Sequence, residues 1–339
     1  MKTYKILWKI RSPLETELQS DTIFGHFCWA LKFVYGEKKL LLFLDALKNN
    51  PVLVLSSAFP AGYFPFPSSL PISHSELKQL KEIFAENFNS DSEIEFAKFK
   101  KNLKKVRWIS YFHWKKFAAG FSVIELYKEM VENLSDSEDI WNNQKVLQEQ
   151  PLKRKKVTVT HNQINRLNGT TSKENAGLFD EITVFYEKNS VFESYLQTDF
   201  FTMEELSEIF GFISLNGFGK NKYTGKGRFD ISLKTYEFRK PENPNAWLLL
   251  SNTVPAEDDS RFCFYDGFMK FGKLGGSYAV EDSPFKYPIF MFRPGSIFIG
   301  KKPRGKLLQN VHPYNQNIVQ NCYSFSLAFV LKGDTYENI

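Results

Sequence analysis

The order of elements along this 339-residue chain predicts an α+β protein built as two ferredoxin-like domains, residues 1–150 and 151–339, with long insertions. Three observations predict it. The chain exceeds the length at which one core commonly divides in two. Its first part reads strand, helix, strands. Its second part reads paired strands, helix, glycine-rich loop, strand, and a strand-rich extension follows.

Thr3 to Ile10 alternates, with Tyr4, Ile6, Trp8 and Ile10 on one face, which predicts a half-buried strand that Pro13 breaks. Ser20 or Asp21 is placed to cap a helix carrying Ile23, Phe27, Leu31 and Val34, and Gly36 offers its stop. Leu53 to Ala58 precedes a turn-rich stretch, and Leu77, Leu80, Phe84 and Phe88 share one helical face. Lys98 to Lys105 reads as a solvated helix of mixed charge. Glu132 to Asp139, polar and acidic, fits a linker. Two strands, about Val157 and Leu178 to Tyr186, flank a long polar loop that would project from the body.

Thr202 and Glu205 form a capping box ahead of Met203, Leu206, Ile209, Phe210 and Ile213. Phe229 to Tyr236 then alternates as a strand. Beyond it, Trp247 to Leu250, Arg261 to Tyr265, Tyr287 to Phe292, Ser296 to Ile299 and Tyr323 to Val330 are strand candidates, and helix is scarce.

Net charge is +6 from 44 basic and 38 acidic side chains, too small an excess to name an anionic partner by itself. The absence of a long apolar run excludes a membrane-spanning helix, and a soluble cytoplasmic protein is expected. Cys28, Cys263 and Cys322 are too scattered for a disulfide framework or paired zinc ligands. His26, His74, His113, His161 and His312 never approach a His-Glu-x-x-His spacing, so neither a metal nor another cofactor is expected. The 34 Phe fall mostly in strand-like apolar runs, where core is the simpler reading than base stacking.

Asn216 to Arg228 holds Gly217, Gly219, Gly225 and Gly227 with Lys220, Lys222, Lys226, Arg228 and Tyr223. Glycine permits positive φ and close approach, consecutive amides form anion-holding concavities, and the cations add attraction for a polyanion. A solvated glycine-rich turn is the other reading. The ATPase phosphate loop is excluded, because Lys220 stands where its first glycine belongs and Gly227 where its hydroxyl belongs. The dinucleotide fingerprint fails at Lys222. The loop leaves a helix C-terminus, so the helix dipole gives an anion no help there.

Ser20, Asp21 and His26 are a further candidate group, either structural or touching a ligand. Asp21 and His26 lie five apart, about 500° around a helix, and make a poor acid–base pair.

Ser12-Pro13-Leu14, Gln19 to Trp29, His161-Asn162-Gln163-Ile164-Asn165-Arg166 with Gly169-Thr170-Thr171 and Gly177-Leu178-Phe179, and Gly217-Phe218-Gly219-Lys220 with Gly225-Lys226-Gly227 follow in one order over most of the chain. Together they resemble the repeat-associated RNA-binding (RAMP superfamily) subunit that caps the guide RNA 5′ end in type III-A CRISPR effector complexes. The resemblance implies paired ferredoxin-like domains with a glycine-rich loop in the second. It also implies a non-catalytic part in an antiviral ribonucleoprotein and a projecting hairpin that enters the guide–target duplex. The implied partners are the 5′ tag of the guide RNA, the large polymerase-like subunit, the backbone subunit that cleaves target RNA, and the target RNA indirectly.

Carried onto this chain, Gly217, Gly219, Lys220, Gly225 and Gly227 match the family's loop and are assigned to packing and guide-backbone contact. Lys222, Lys226 and Arg228 add charge. His161, Asn162, Asn165 and Arg166 match the polar motif expected near the tag, where amides and imidazole read base edges. That group also reads as a hydrogen-bonded loop tying two strands together. Arg154, Lys155 and Lys156 join the RNA-binding set, and Tyr223 is placed to stack on a base. The rival readings are a metal-independent endoribonuclease using His26, His161 or the loop lysines, and a protein-only scaffold.

Overall fold

The computed structural model describes residues 1–67, 70–88, 92–135, 151–171, 177–280 and 283–332. β1 (Lys2–Ile10) alternates as its sequence predicts and buries Tyr4, Ile6 and Trp8. α1 (Ser20–Asn49) turns Ile23, Phe24, Phe27 and Leu31 inward. Gly36, at φ 84° and ψ 169°, breaks its helical geometry, so the expected stop is a kink beyond which helix resumes. β2 (Leu53–Leu55) and β3 (Phe59–Pro60) follow.

A long excursion comes next. β4 (Tyr63–Pro65) pairs with β5 (Trp108–Ser110), and α2 (His74–Phe88) and α3 (Glu93–Leu103) lie between them in sequence. α3 buries Phe96, Phe99 and Leu103, so the basic run there is the wet side of an amphipathic helix. α4 (Tyr111–Phe117) and α5 (Val123–Ser135) follow. The linker expected at 132–139 begins inside α5, and its remainder lies outside the described residues.

β6 (Arg154–Asn162) and β7 (Leu178–Tyr186) form a nine-residue antiparallel ladder, mostly exposed. β8 (Val191–Thr198), α6 (Met203–Asn216) and β9 (Phe229–Thr235) then return to β1. α6 carries the expected capping box, with both Thr202 and Glu205 bonds present.

The main sheet runs β2-β8-β1-β9, all antiparallel, with β3 also on β8. This is a β-α-β-β-α-β unit whose two halves are separated in sequence by the excursion and the β6–β7 hairpin. Strands from both sides of residue 150 therefore form one sheet. The glycine-rich loop, between α6 and β9, joins two elements of this sheet unit. Local patterning shows where strands begin, whereas pairing between β1 and β8 is a tertiary fact.

α1 and α6 cover one face, where Trp8 meets Phe210 at 5.8 Å between ring centroids. Tyr195 on the other face packs against Phe64, Phe238 and Phe325. That face is covered over β8, while Asp230, Ser232 and Lys234 of β9 leave its edge exposed.

The second sheet, β11 (Cys263–Phe264), β14 (Ile297–Ile299), β10 (Ala246–Leu249) and β17 (Ser326–Phe329), is antiparallel in that order. Two ribbons accompany it, β12 (Gly267–Lys270) with β13 (Ile289–Phe292) and β15 (Gly305–Leu308) with β16 (Gln320–Tyr323). Among the described residues no α-helix lies between its strands in sequence. Trp114 of α4 and Phe121 instead reach Phe329, each at 5.6 Å. A helical insertion from the first half thus covers the second sheet, and one core cluster extends across both. The architecture is α+β with several small antiparallel sheets.

Candidate nucleic-acid interface

The glycine-rich loop is built by three segments far apart in sequence. After α6, Gly217 (φ 77°) and Gly219 (φ 78°) turn the chain, and Gly227 (φ 65°) returns it beneath Phe218. The Phe218 amide donates to the Gly227 carbonyl at 2.8 Å, and a Cβ on Gly227 would lie 1.9 Å from the Phe218 carbonyl oxygen. Only glycine fits there. The first segment after β1 closes the loop from one side: Pro13 O accepts the Gly227 amide at 2.9 Å, Thr16 Oγ1 the Lys220 amide at 2.9 Å, and Ser12 Oγ the Arg228 amide at 2.8 Å.

His26 of α1 closes it from beneath. Its Nε2 accepts the Gly219 amide at 3.0 Å, and its ring stacks on Phe218 at 4.3 Å. An imidazole that accepts through Nε2 must be neutral, and burial, followed by the charge of Lys222, lowers its pKa to about 3. His26 is therefore a strut of the loop.

The hairpin supplies the third side. Glu181 of β7 pairs with Lys220 at 2.7 Å, accepts from Asn221 Nδ2 at 2.6 Å, and lies 3.4 Å from His161 Nε2. The Lys220 and Asn221 hydrogen bonds hold its carboxyl below the usual range. Glu15 pairs with Lys226 and accepts from Asn221 at 2.7 Å, and Thr183 Oγ1 lies 2.6 Å from Lys226 Nζ. Arg228 donates to the Leu215 carbonyl at the end of α6, where a cation meets the negative end of the helix dipole.

These contacts divide the predicted residues. Lys220, Lys226 and Arg228 hold the loop in shape, and Gly217, Gly219 and Gly227 let its backbone close. Gly225, at φ 90°, faces open space. Lys222 pairs with no carboxylate among the described residues and lies 5.0 Å from the ring of Tyr223, itself 82% exposed. On the hairpin, Lys155, Lys156 and Arg166 are exposed, also without a carboxylate partner among the described residues, and Arg154 bonds Tyr186. Asn162 accepts from Thr171 at 2.9 Å and Asn165 caps a turn by accepting the Leu167 amide at 2.9 Å. His161 stacks on Phe179 at 5.3 Å. The polar motif thus ties its own loop together and leaves Arg166 outward.

Ser20 and Asp21 lie elsewhere. Gln19 is the N-cap of α1, without a side-chain cap bond, so neither Ser20 nor Asp21 caps the helix as expected. Ser20 Oγ accepts the Asn252 amide at 2.9 Å. Asp21 accepts from Asn252 Nδ2 at 2.9 Å and Gln320 Nε2 at 3.0 Å, and pairs with Lys270 at 3.1 Å. This buried cluster fastens α1 to the segment after β10 and to the β12 and β16 ribbons, and tertiary demand overrides the capping preference. Glu15, Thr16, Glu181 and Thr183 were missed by sequence reasoning, since nothing local marks a residue that meets its partner 211 positions away.

No grouping of His, Cys, Asp and Glu suited to a metal occurs among the described residues, and no described helix is long and apolar enough to cross a membrane. No family model matches the sequence, and no curated protein matches it. Solved structures do. The chain is similar to one in the crystal structure of a Csm3-Csm4 subcomplex of the type III-A CRISPR-Cas interference complex, with TM-score 0.58, 15% identity, and 97% of this chain and 99% of that chain covered. It is likewise similar to chains of the Csm1-Csm4 cassette bound to pppApA (TM-score 0.54, 15% identity, 97% and 99% covered) and to AMPPNP (0.53, 16%, 98% and 99%). The likeness is one of fold.

Proposed function

We propose that this chain is a non-catalytic, RAMP-superfamily RNA-binding subunit of a type III-A CRISPR ribonucleoprotein. It holds the repeat-derived 5′ tag of the guide RNA and links the large polymerase-like subunit to the backbone filament. The observation that carries the reading is the end-to-end likeness to chains in both kinds of assembly, Csm3-Csm4 and Csm1-Csm4, which name Csm4 in common. The site geometry supports it from below. The middle of the hairpin and the glycine-rich loop meet at Glu181, and on those same segments Lys222, Arg166, Lys155 and Lys156 have no carboxylate partner among the described residues. Such cations suit a phosphate backbone, while Tyr223 and Phe179 offer exposed rings.

The experiment is crosslinking of guide RNA to the chain purified with its natural partners. Attachment of the 5′ tag within 153–166 or 217–228 is expected. Intact guide without such adducts would move the chain to a protein-only role.

The endoribonuclease reading rests on His161 beside Glu181, because His26 is committed to Gly219. Cleavage of precursor RNA by the purified chain, lost in His161→Ala, would favour it.

A further inference from the structure

Between β14 and β15 lies a second cationic turn, Gly300-Lys301-Lys302-Pro303-Arg304-Gly305-Lys306, attached to the C-terminal sheet. Its shape is fixed from within. Gly300 and Gly305 have φ of 84° and 64°, and a Cβ on Gly305 would meet the Cys322 carbonyl oxygen at 2.3 Å. The Asp259 carboxylate accepts the amides of Arg304 at 2.7 Å and Gly305 at 2.9 Å. Asp258 pairs with Lys301 at 3.3 Å and Arg304 at 3.1 Å. Two of the cations are thereby committed to bracing the turn.

Lys302 is placed differently. It is exposed and pairs with no carboxylate among the described residues, and its ammonium lies 5.8 Å from the ring centroid of Trp247. The indole is itself oriented, because Nε1 donates to the Gly300 carbonyl at 2.9 Å. Surrounding protein lowers the Lys302 pKa first, and the charge of Lys240 lowers it further. Lys240 is exposed on the segment entering β10. An exposed ammonium beside a partly exposed, oriented indole, on a prebuilt turn, is complementary to an anion that carries a flat ring.

We propose that Lys302 and Trp247 form a subsite for one nucleotide unit of single-stranded RNA, with its phosphate at the Lys302 ammonium and its base against the indole. Single-strand binders combine these two elements, charge tracking the backbone and an aromatic face taking a base. An acidic peptide would use the charge and leave the indole idle. The subsite rests on the reading that this chain takes RNA, but on none of the residues of the glycine-rich loop.

The test titrates labelled oligouridylate into the purified chain at several salt concentrations. Lys302→Ala should lower the slope of log affinity against log salt by about 0.7, the value for one lost single-strand phosphate contact. Trp247→Leu should weaken binding at least about fivefold at fixed salt, and Trp247→Phe, which keeps a ring, should restore most of it. If these variants bind as wild type while a Lys155/Lys156/Arg166/Lys222 alanine variant loses binding, the subsite is wrong and the glycine-loop reading stands. Loss in the Lys302 and Trp247 variants alone keeps the subsite and removes RNA from the glycine-rich loop. No binding by the wild-type chain at low salt overturns both.

Discussion

Replacing His26 by glutamine removes a titrating ring while keeping an acceptor for the Gly219 amide. In the folded chain the imidazole is neutral with its pKa lowered to about 3, against 6.5 when unfolded. The unfolded state therefore binds a proton first as pH falls. The stabilisation is fully present above the unfolded pKa and is lost as pH falls from there toward the folded value. Between about pH 7.5 and 5.5 the loss is RT ln 10, about 1.4 kcal/mol, as long as the folded pKa stays below about 4.5. Urea unfolding of wild type and His26→Gln at both pH values measures it. The wild type should lose about 1.4 kcal/mol more than the variant over this interval. Equal losses would refute a neutral, half-buried His26 as the strut of the loop.

Gly227→Ala places a Cβ against the Phe218 carbonyl and should cost at least ~3 kcal/mol, whereas Gly225→Ala, facing open space, should cost only about 1 kcal/mol. Thermal melting separates them, and equal shifts would contradict the closed loop. Lys226→Ala leaves Glu15 buried without its cation and should destabilise by about 3 kcal/mol, while Lys222→Ala should leave melting unchanged and weaken RNA binding. Asp21→Ala strips Lys270 of its carboxylate between α1 and the β12–β13 ribbon. Denaturant titration should register a loss of about 3 kcal/mol or more, and a change below 1 kcal/mol, roughly that of a surface pair, would argue against the buried cluster.

What the sequence made legible is what is decided locally. The alternation of Tyr4, Ile6 and Trp8, the Thr202–Glu205 box and the apolar stripe of α6 each act within one or two turns, and they fall where expected. The neighbours of β1 are β8 and β9, whose pairing is set by folding across the excursion, so the division at residue 150 had no local signal against it. α4 spans only seven residues, too few to show a repeat, and its Trp114 packs on Phe329 of a distant strand, whereas α5 carries a repeat in Val123, Ile124 and Tyr127 that went unread. The site shows the same split. Glycines at 217, 219 and 227 announced a positive-φ turn, yet Lys220 and Lys226 looked free until Glu181 and Glu15 were found against them.

That division of the cations makes the central claim directly testable. Lys155, Lys156, Arg166 and Lys222 changed together to alanine leave every ion pair of the loop intact, so the subunit should fold and assemble with its partners. The measurement is the amount of guide RNA, and its 5′ tag protection from nuclease, in the assembly carrying this variant. The account predicts normal protein stoichiometry with an unprotected tag and a weakened, less salt-dependent hold on the guide. A fully protected tag in that assembly would contradict it.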